Sequence, residues 1–462
     1  MKPGTLAAAI TLVAMLASAC ATQGAVRSAP PVPAEARADP SHYLVVTVRN
    51  DTRARAVRPG STPRGYDTVR QYGPTPEALA DVHALEHDYG LRQVSAWPIA
   101  SLHVHCIMFE LPADASRPGM LARLASDPRV ESVQPLNEFA TQAMVASSDP
   151  LPGPGSAAAG DEPMPYNDPY ASLQVSLREL GVVQAQRRSR GAGVRIAVID
   201  TGIDFSHPDI KARVIETHNF VDANSGQFQN DRHGTEVAGV IAAVADNGLG
   251  IVGIAPEAQV IALKSCWQSP DAVRSLCNSF TLAEALEAAI VAHADVINLS
   301  LAGPADPLLS RLVDQGTQQG ILFVGAVPPE GAANSFPAGL AAVLAVEAAE
   351  SSSGNPQHLH APGREVLTLV PGGHYDFASG SSLAAAEVSG VLALLLAEHP
   401  HLSAAQARTL LARTSRRIET SSGTLTSIDA CAALSQLLSD GNGCAGSPSS
   451  MASVGDKSSA GR

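Results

Sequence analysis

The chain has 462 residues, 45% hydrophobic and only 4% aromatic, with a formal charge of −13. That length exceeds one small domain and supports a large core, and the apolar share excludes disorder over most of the chain. The acidic balance disfavours a phosphate backbone, so no nucleic-acid partner is expected and the surplus carboxylates read as solubility.

Residues 1–19 read as a signal peptide. Met1 and Lys2 give a positive start, residues 6–16 are apolar but short for a bilayer span, and Ala17-Ser18-Ala19 is a small-residue cleavage site. Cys20 follows at once, and Leu-Ala-Ser-Ala-Cys is similar to a bacterial lipobox, with Ala17 where a larger aliphatic residue is usual. Lipidation of Cys20 and plain cleavage before it both export the protein, to the bacterial cell envelope or beyond it. Membrane contact is expected only through a lipid on Cys20, because no later segment reads as a span. Residues 20–41, rich in Ala and Pro, read as a tether.

Residues 42–142 read as a small domain. A strand is expected at 43–49, a helix at 75–89, strands at 91–97 and 102–111, a helix at 118–126 and a strand at 129–135. Pro76 opens the first helix, and Leu79, Val82 and Leu85 follow at helical spacing. The order β-α-β-β-α-β gives a ferredoxin-like α+β fold. His103 and His105 are placed on one strand face, half-exposed, without a third ligand, so no metal is expected there. Residues 143–165, dominated by Pro, Gly, Ala and Ser, read as a mobile, cleavable linker.

Residues 166–444 alternate strands, at 194–199, 259–264, 295–301, 320–327 and 342–347, with helices at 233–245, 281–293, 308–319, 382–398 and 403–413. The strands are nearly continuous Val/Ile/Leu/Ala runs, as buried parallel strands require, so an α/β fold with a doubly wound, mainly parallel sheet is expected. Residues 445–462, rich in Ser, Gly and Ala, read as a disordered tail. Of the six cysteines, Cys266 and Cys277 lie close in sequence, as do Cys431 and Cys444. Each pair can close a surface loop in an oxidising compartment. Cys20 and Cys106 remain, and no spacing fits zinc.

Three segments carry the chemistry. Asp200 ends the run Arg195-Ile-Ala-Val-Ile199, at the strand end where open α/β sheets place their sites, and Gly202 permits a tight exit. His233 opens the apolar helical run of Arg-His-Gly-Thr-Glu-Val-Ala-Gly. Ser382, in Ala-Ser-Gly-Ser-Ser-Leu-Ala, opens the most apolar helix of the chain, where unpaired N–H groups and the positive dipole end can favour an oxyanion. A carboxylate, an imidazole and a hydroxyl in these settings suit nucleophilic acyl transfer.

With Ile203-Asp204 and Ser206-His-Pro-Asp209 beside Asp200, and Gly-Ser-Ser-Leu-Ala at Ser382, residues 166–438 resemble the subtilisin-like serine peptidases, the subtilase family. The resemblance implies a serine endopeptidase acting on polypeptides, with Asp200, His233 and Ser382 as its triad and no cofactor in the chemistry. Asp127-Pro-Arg-Val-Glu-Ser-Val-Gln-Pro135 resembles the end of the family's inhibitor-like propeptide. That implies a zymogen whose propeptide is an intramolecular inhibitor with its tail in the substrate cleft, processed within residues 139–165. Ser300, Leu301, Ala302 and Gly303 match the family's substrate-pairing segment. Asp209 matches a ligand of a structural Ca²⁺, with Asn247 in the Gly-rich loop 246–256 and Gln174 as further oxygens.

Four residues depart from the pattern here. Glu236 stands where a second histidine is usual, and Ala386-Glu387 where many members have Pro-His. Pro329 stands at the position of the asparagine that donates to the oxyanion, and proline donates nothing. The alternative implied by Pro328-Pro329 is a scaffold on a degraded peptidase fold, or an enzyme whose only substrate is its own linker.

Overall fold

The computed structural model describes residues 31–51, 72–142, 164–222, 225–269, 274–329, 331, 333–420 and 423–439. The signal peptide, Cys20, residues 143–163, Cys444 and the tail from 445 lie outside them.

The small domain has the expected order. Strands Tyr43–Arg49, Arg92–Ile99, Val104–Glu110 and Val130–Pro135 alternate with helices Pro76–Tyr89 and Arg117–Ala125. The sheet is antiparallel, with the first strand between the third and fourth. Thr75 starts the first helix by accepting from the Ala78 N–H at 3.1 Å, and Gly90, left-handed at φ 68°, ends it. One sheet face buries Leu44, Val46 and Phe109 against its own helices. The other face puts Val45, Trp97, Cys106 and Met108 into the same cluster as Phe280, Leu309 and Leu312 of the large domain. Trp97 meets Phe280 edge-on, ring centroids 6.4 Å apart.

Polar contacts fix that face. Asp306 Oδ2 accepts from Gln134 Nε2 at 2.7 Å and Asn137 Nδ2 at 2.9 Å, while its Oδ1 caps the Pro307–Gln318 helix through Leu309 N–H. Glu287 accepts from the N–H and the hydroxyl of Ser101.

Two expectations for this region are corrected. Residues 32–41 are not a free tether. Val32 and Ala36 are buried in the shared cluster, Ala34–Ala38 is helical, and the Arg37 guanidinium lies 5.9 Å from the Trp267 ring centroid. His103 and His105 do not share a strand face. His103 sits in a turn at φ 54°, before the strand starts, and His105 is buried.

The large domain is built on a seven-stranded parallel sheet. Its order is Leu359–Ala361, Val343–Ala348, Leu322–Ala326, Val296–Leu299, Arg195–Asp200, Gln259–Lys264 and Val214–Asn219. Strand faces alternate. Ile196 and Val198 join the cluster around helices Arg232–Ala242 and Ser381–Glu398, while Ala197 and Ile199 join the opposite one. Ser381–Glu398 alone among the described helices has the length and apolarity of a membrane span, against the expectation of none. It is 83% buried as the central core helix. Cys266 and Cys277 are joined in a disulfide across a short hairpin, and Cys106 is a free, buried thiol.

Between the domains, residues Glu138–Thr141 form a strand absent from the sequence reading. It lies antiparallel between Ser275–Asn278 and Leu301–Pro304, completing a five-stranded sheet.

Candidate active site

Asp200 is the last residue of its strand, and His233 the second of the Arg232–Ala242 helix. Two glycines let these elements meet. Gly202 leaves the strand at φ 131°, and a Cβ there would lie 2.5 Å from the Phe228 carbonyl oxygen; a Cβ on Gly234 would lie 2.1 Å from the Gly202 oxygen. The approach brings His233 Nδ1 within 2.7 Å of Asp200 Oδ1, which also accepts the Thr201 N–H at 2.7 Å. Nδ1–H donates to the carboxylate, so Nε2 is the lone-pair nitrogen. Both residues are buried, and among the described residues His233 Nε2 and Asp200 Oδ2 have no hydrogen-bond partner. Burial pulls the imidazole pKa down, but the charge and hydrogen bond of Asp200 outweigh it, and the net pKa lies above its ordinary value.

Ser382 is the second residue of the Ser381–Glu398 helix, after Gly380. Its hydroxyl donates to the Ser300 carbonyl at 3.1 Å, not to His233, and Ser300 Oγ donates back to the Ser382 carbonyl at 3.1 Å. The structure thus joins Asp200 and His233 directly. Ser382 stands on the helix packed against that of His233.

Residues 139–142 run along the 300–303 segment. Ala140 pairs with Ala302 on one side and Leu276 on the other, and Thr141 pairs with Leu301. Gln142 N–H donates to the Ser300 carbonyl at 3.2 Å, and the Gln142 carbonyl accepts the Ser382 N–H at 3.4 Å. Phe139 is buried, edge-on to Phe336 at 5.7 Å, and a Cβ on Gly303 would strike its ring at 2.3 Å. All four residues of 300–303 therefore contact or pair with this strand. Sequence reading placed the tail here only in outline. The register that puts Gln142 on Ser382 comes from pairing between segments more than 100 residues apart.

Pro328 is buried and Pro329 exposed, directly after the Leu322–Ala326 strand. Ser381 Oγ donates to the Val327 carbonyl at 2.8 Å, which sets this strand end beside the start of the Ser382 helix. Glu236 is buried and accepts from Arg232 Nε at 2.6 Å; burial raises its pKa. Glu387 is fully buried on the Ser382 helix. Burial pushes its carboxyl well up, and Glu350 and Glu179 add to that.

The residues matched to calcium lie together. Asn247 Nδ2 is 2.7 Å from Asp209 Oδ1, Ile251 N–H donates to Oδ2 at 3.0 Å, and Gln174 pairs both ways with the Val252 backbone at 2.8 Å. Asp209 is buried, and burial pushes its carboxyl up to about 6. Asn247 Oδ1 accepts the Leu249 N–H at 2.7 Å, so a half-turn that presents this oxygen beside the buried Asp209 carboxylate, as a hard cation would require, gives up that bond. Among the described residues no group of three His, Cys, Asp or Glu side chains could hold a metal.

Comparison with known proteins agrees with the geometry. The profile of the Subtilase family, Peptidase S8, matches residues 191–442. Subtilisin E of Bacillus subtilis (strain 168) is 36% identical over 239 residues, covering 48% of this chain and 61% of the relative. Subtilisin of Bacillus pumilus is also 36% identical, over 48% of this chain and 84% of its own length. The crystal structure of fervidolysin from Fervidobacterium pennivorans, a keratinolytic enzyme related to subtilisin, matches at a TM-score of 0.64. That match covers 85% of this chain and 60% of fervidolysin at 21% identity, a likeness of fold. A family profile over more than half of the sequence, laid on a parallel sheet that ends in an Asp–His pair, makes the chain a member of the subtilase family.

Proposed function

We propose that this protein is an exported serine endopeptidase made as a self-inhibited zymogen. The supporting observation is the pose of its own tail: a strand paired on both edges, with the Gln142 carbonyl on the N–H of Ser382. In this reading Ser382 Oγ rotates towards His233 Nε2, loses its proton to it and attacks the Gln142 carbonyl. Asp200 holds the imidazole and stabilises its charged form. His233 then protonates the leaving amine of Ala143, and water hydrolyses the acyl-enzyme by the same route reversed. Other substrates bind as the tail does, by strand addition between residues 275–278 and 301–304.

The intact mass of protein from its own cells tests this. The expected species are a peptidase beginning at Ala143 and a fragment ending at Gln142 that carries the lipid on Cys20. Ser382→Ala should stay uncleaved and lose labelling by a fluorophosphonate. Wild type that is never cleaved or labelled supports the scaffold reading, which the absent donor at Pro329 favours. Cleavage at Gln142 without activity on other proteins supports a self-processing enzyme.

Asp209, Asn247 and Gln174 are proposed to hold a structural Ca²⁺. When bound it would neutralise the buried Asp209 charge and brace the 246–256 loop; it takes no part in the chemistry. Chelation is expected to lower Tm by about 5–10 °C, as loss of a ligand near 100-fold above its Kd would. An unchanged Tm in chelator refutes the site.

A further inference from the structure

We propose that Lys264 is a positioning residue for this reaction, one ammonium that locks the Asp200 strand, the His233 helix and the cleft hairpin to each other. The proposal rests on the Asp200–His233 relay read above. Lys264 ends the Gln259–Lys264 strand, directly opposite Asp200 in the parallel register. It is 2% exposed. Nζ donates to the Thr201 carbonyl, to Asp231 Oδ2 at 2.5 Å and to the Cys266 carbonyl at 3.1 Å, so each of its three protons has an acceptor.

Each acceptor belongs to a different part of the site. Thr201 follows Asp200 and donates its N–H to that carboxylate, and its hydroxyl accepts the Gly234 N–H at 3.1 Å, next to His233. Asp231 is the residue from which the His233 helix starts. Cys266 is bonded to Cys277, whose strand pairs with the tail at Phe139. Displacement of any one of the three therefore has to break a bond to the same nitrogen.

Asp231 shows that the arrangement is not there for helix stability. Asp is a favoured capping residue, yet its side chain makes no capping bond and turns to Lys264 instead. Burial pushes its carboxyl up to about 6 even with Lys264 opposing, so the charged pair is held at a cost. An apolar pair of similar size is often as stable as a buried ion pair, so stability alone gives no reason for this one. Orientation does: an acid and a base held on separate elements lose about 10²-fold in rate for displacements near 1 Å.

The test reads the Asp200–His233 bond itself. The full-length Ser382→Ala chain, which cannot cleave itself, is expected to show a low-field proton resonance from His233 Nδ1–H, assigned by its loss in His233→Asn. Adding Lys264→Met should move it upfield or broaden it away. In the active background Lys264→Met should lower kcat about tenfold or more and leave KM within about twofold. Asp231→Ala, which removes one of the three acceptors, should give a smaller change of the same kind, and it carries the test if Lys264→Met does not fold. An unchanged resonance and unchanged kcat, with only a lower Tm, overturn the proposal. Absence of the resonance in Ser382→Ala itself overturns the relay beneath it.

Discussion

Replacing His233 by alanine is expected to lower kcat/KM by about 10⁴-fold or more, measured with a reporter peptide of sequence Phe-Ala-Thr-Gln on wild type and variant both cut after Gln142 by an added protease, since the variant cannot cleave itself. The upper end of that range, near 10⁶-fold for loss of one relay member, was measured on a subtilisin and is not obtained from this geometry. The geometry supplies the reason for a large effect. Nδ1 is fixed by Asp200 at 2.7 Å, and Nε2 is buried without a hydrogen-bond partner among the described residues, so the ring keeps one lone pair for a donor.

The pH profile follows from the same contact. Burial lowers the imidazole pKa and Asp200 raises it by more, so the protonated ring persists above the ordinary 6.5. A protonated ring cannot accept the serine proton. The acid limb of kcat/KM should therefore fall off through a pKa above 6.5 as pH drops, and Asp200→Asn should move that limb down, because the opposing carboxylate is gone and burial remains. A limb well below 6.5 in the wild type, or a loss of only tenfold in His233→Ala, would show that His233 is not the base.

The elements that carry Asp200 and Ser382 were legible because their signals are local. Arg195-Ile-Ala-Val-Ile199 can only be a strand buried on two faces, and its end fixes where Asp200 points. The helix from Ser381 is apolar around its whole circumference, which leaves it no place but the core. Element ends differ from expectation by a few residues, as where Asp295 precedes its strand and Leu301 belongs to the next one. What stayed hidden depends on partners distant in sequence. The four-residue tail strand has almost no pattern of its own and exists because two exposed edges accept it. Val32 and Ala36 are ordinary residues of an Ala/Pro-rich stretch, buried only because the shared cluster offers them an apolar surface. Lys264 is one charged residue at a strand end, and only the fold shows that three carbonyl and carboxylate oxygens converge on it.

Pro329→Asn is expected to raise kcat by at least about tenfold, with KM little changed. The oxyanion that forms from the Gln142-type carbonyl has one identified donor, the Ser382 N–H, at 3.4 Å from the resting oxygen. Pro329 lies just beyond the strand end that Ser381 Oγ holds against the Ser382 helix, and proline offers neither an N–H nor a side-chain donor. An asparagine amide there would supply the second donor to charge that develops only in the transition state, which is why kcat and not KM should move. Loss of such a donor costs about 10²–10³ in kcat in a subtilisin, a magnitude measured there, and it sets the ceiling for the gain. The turn is already closed by the Gly331 N–H on the Pro328 carbonyl at 2.9 Å, so the substitution should cost no more than about 1 kcal/mol through the freer unfolded chain. A folded variant with kcat unchanged would place the missing donor elsewhere, and with it the reason this site would be slow.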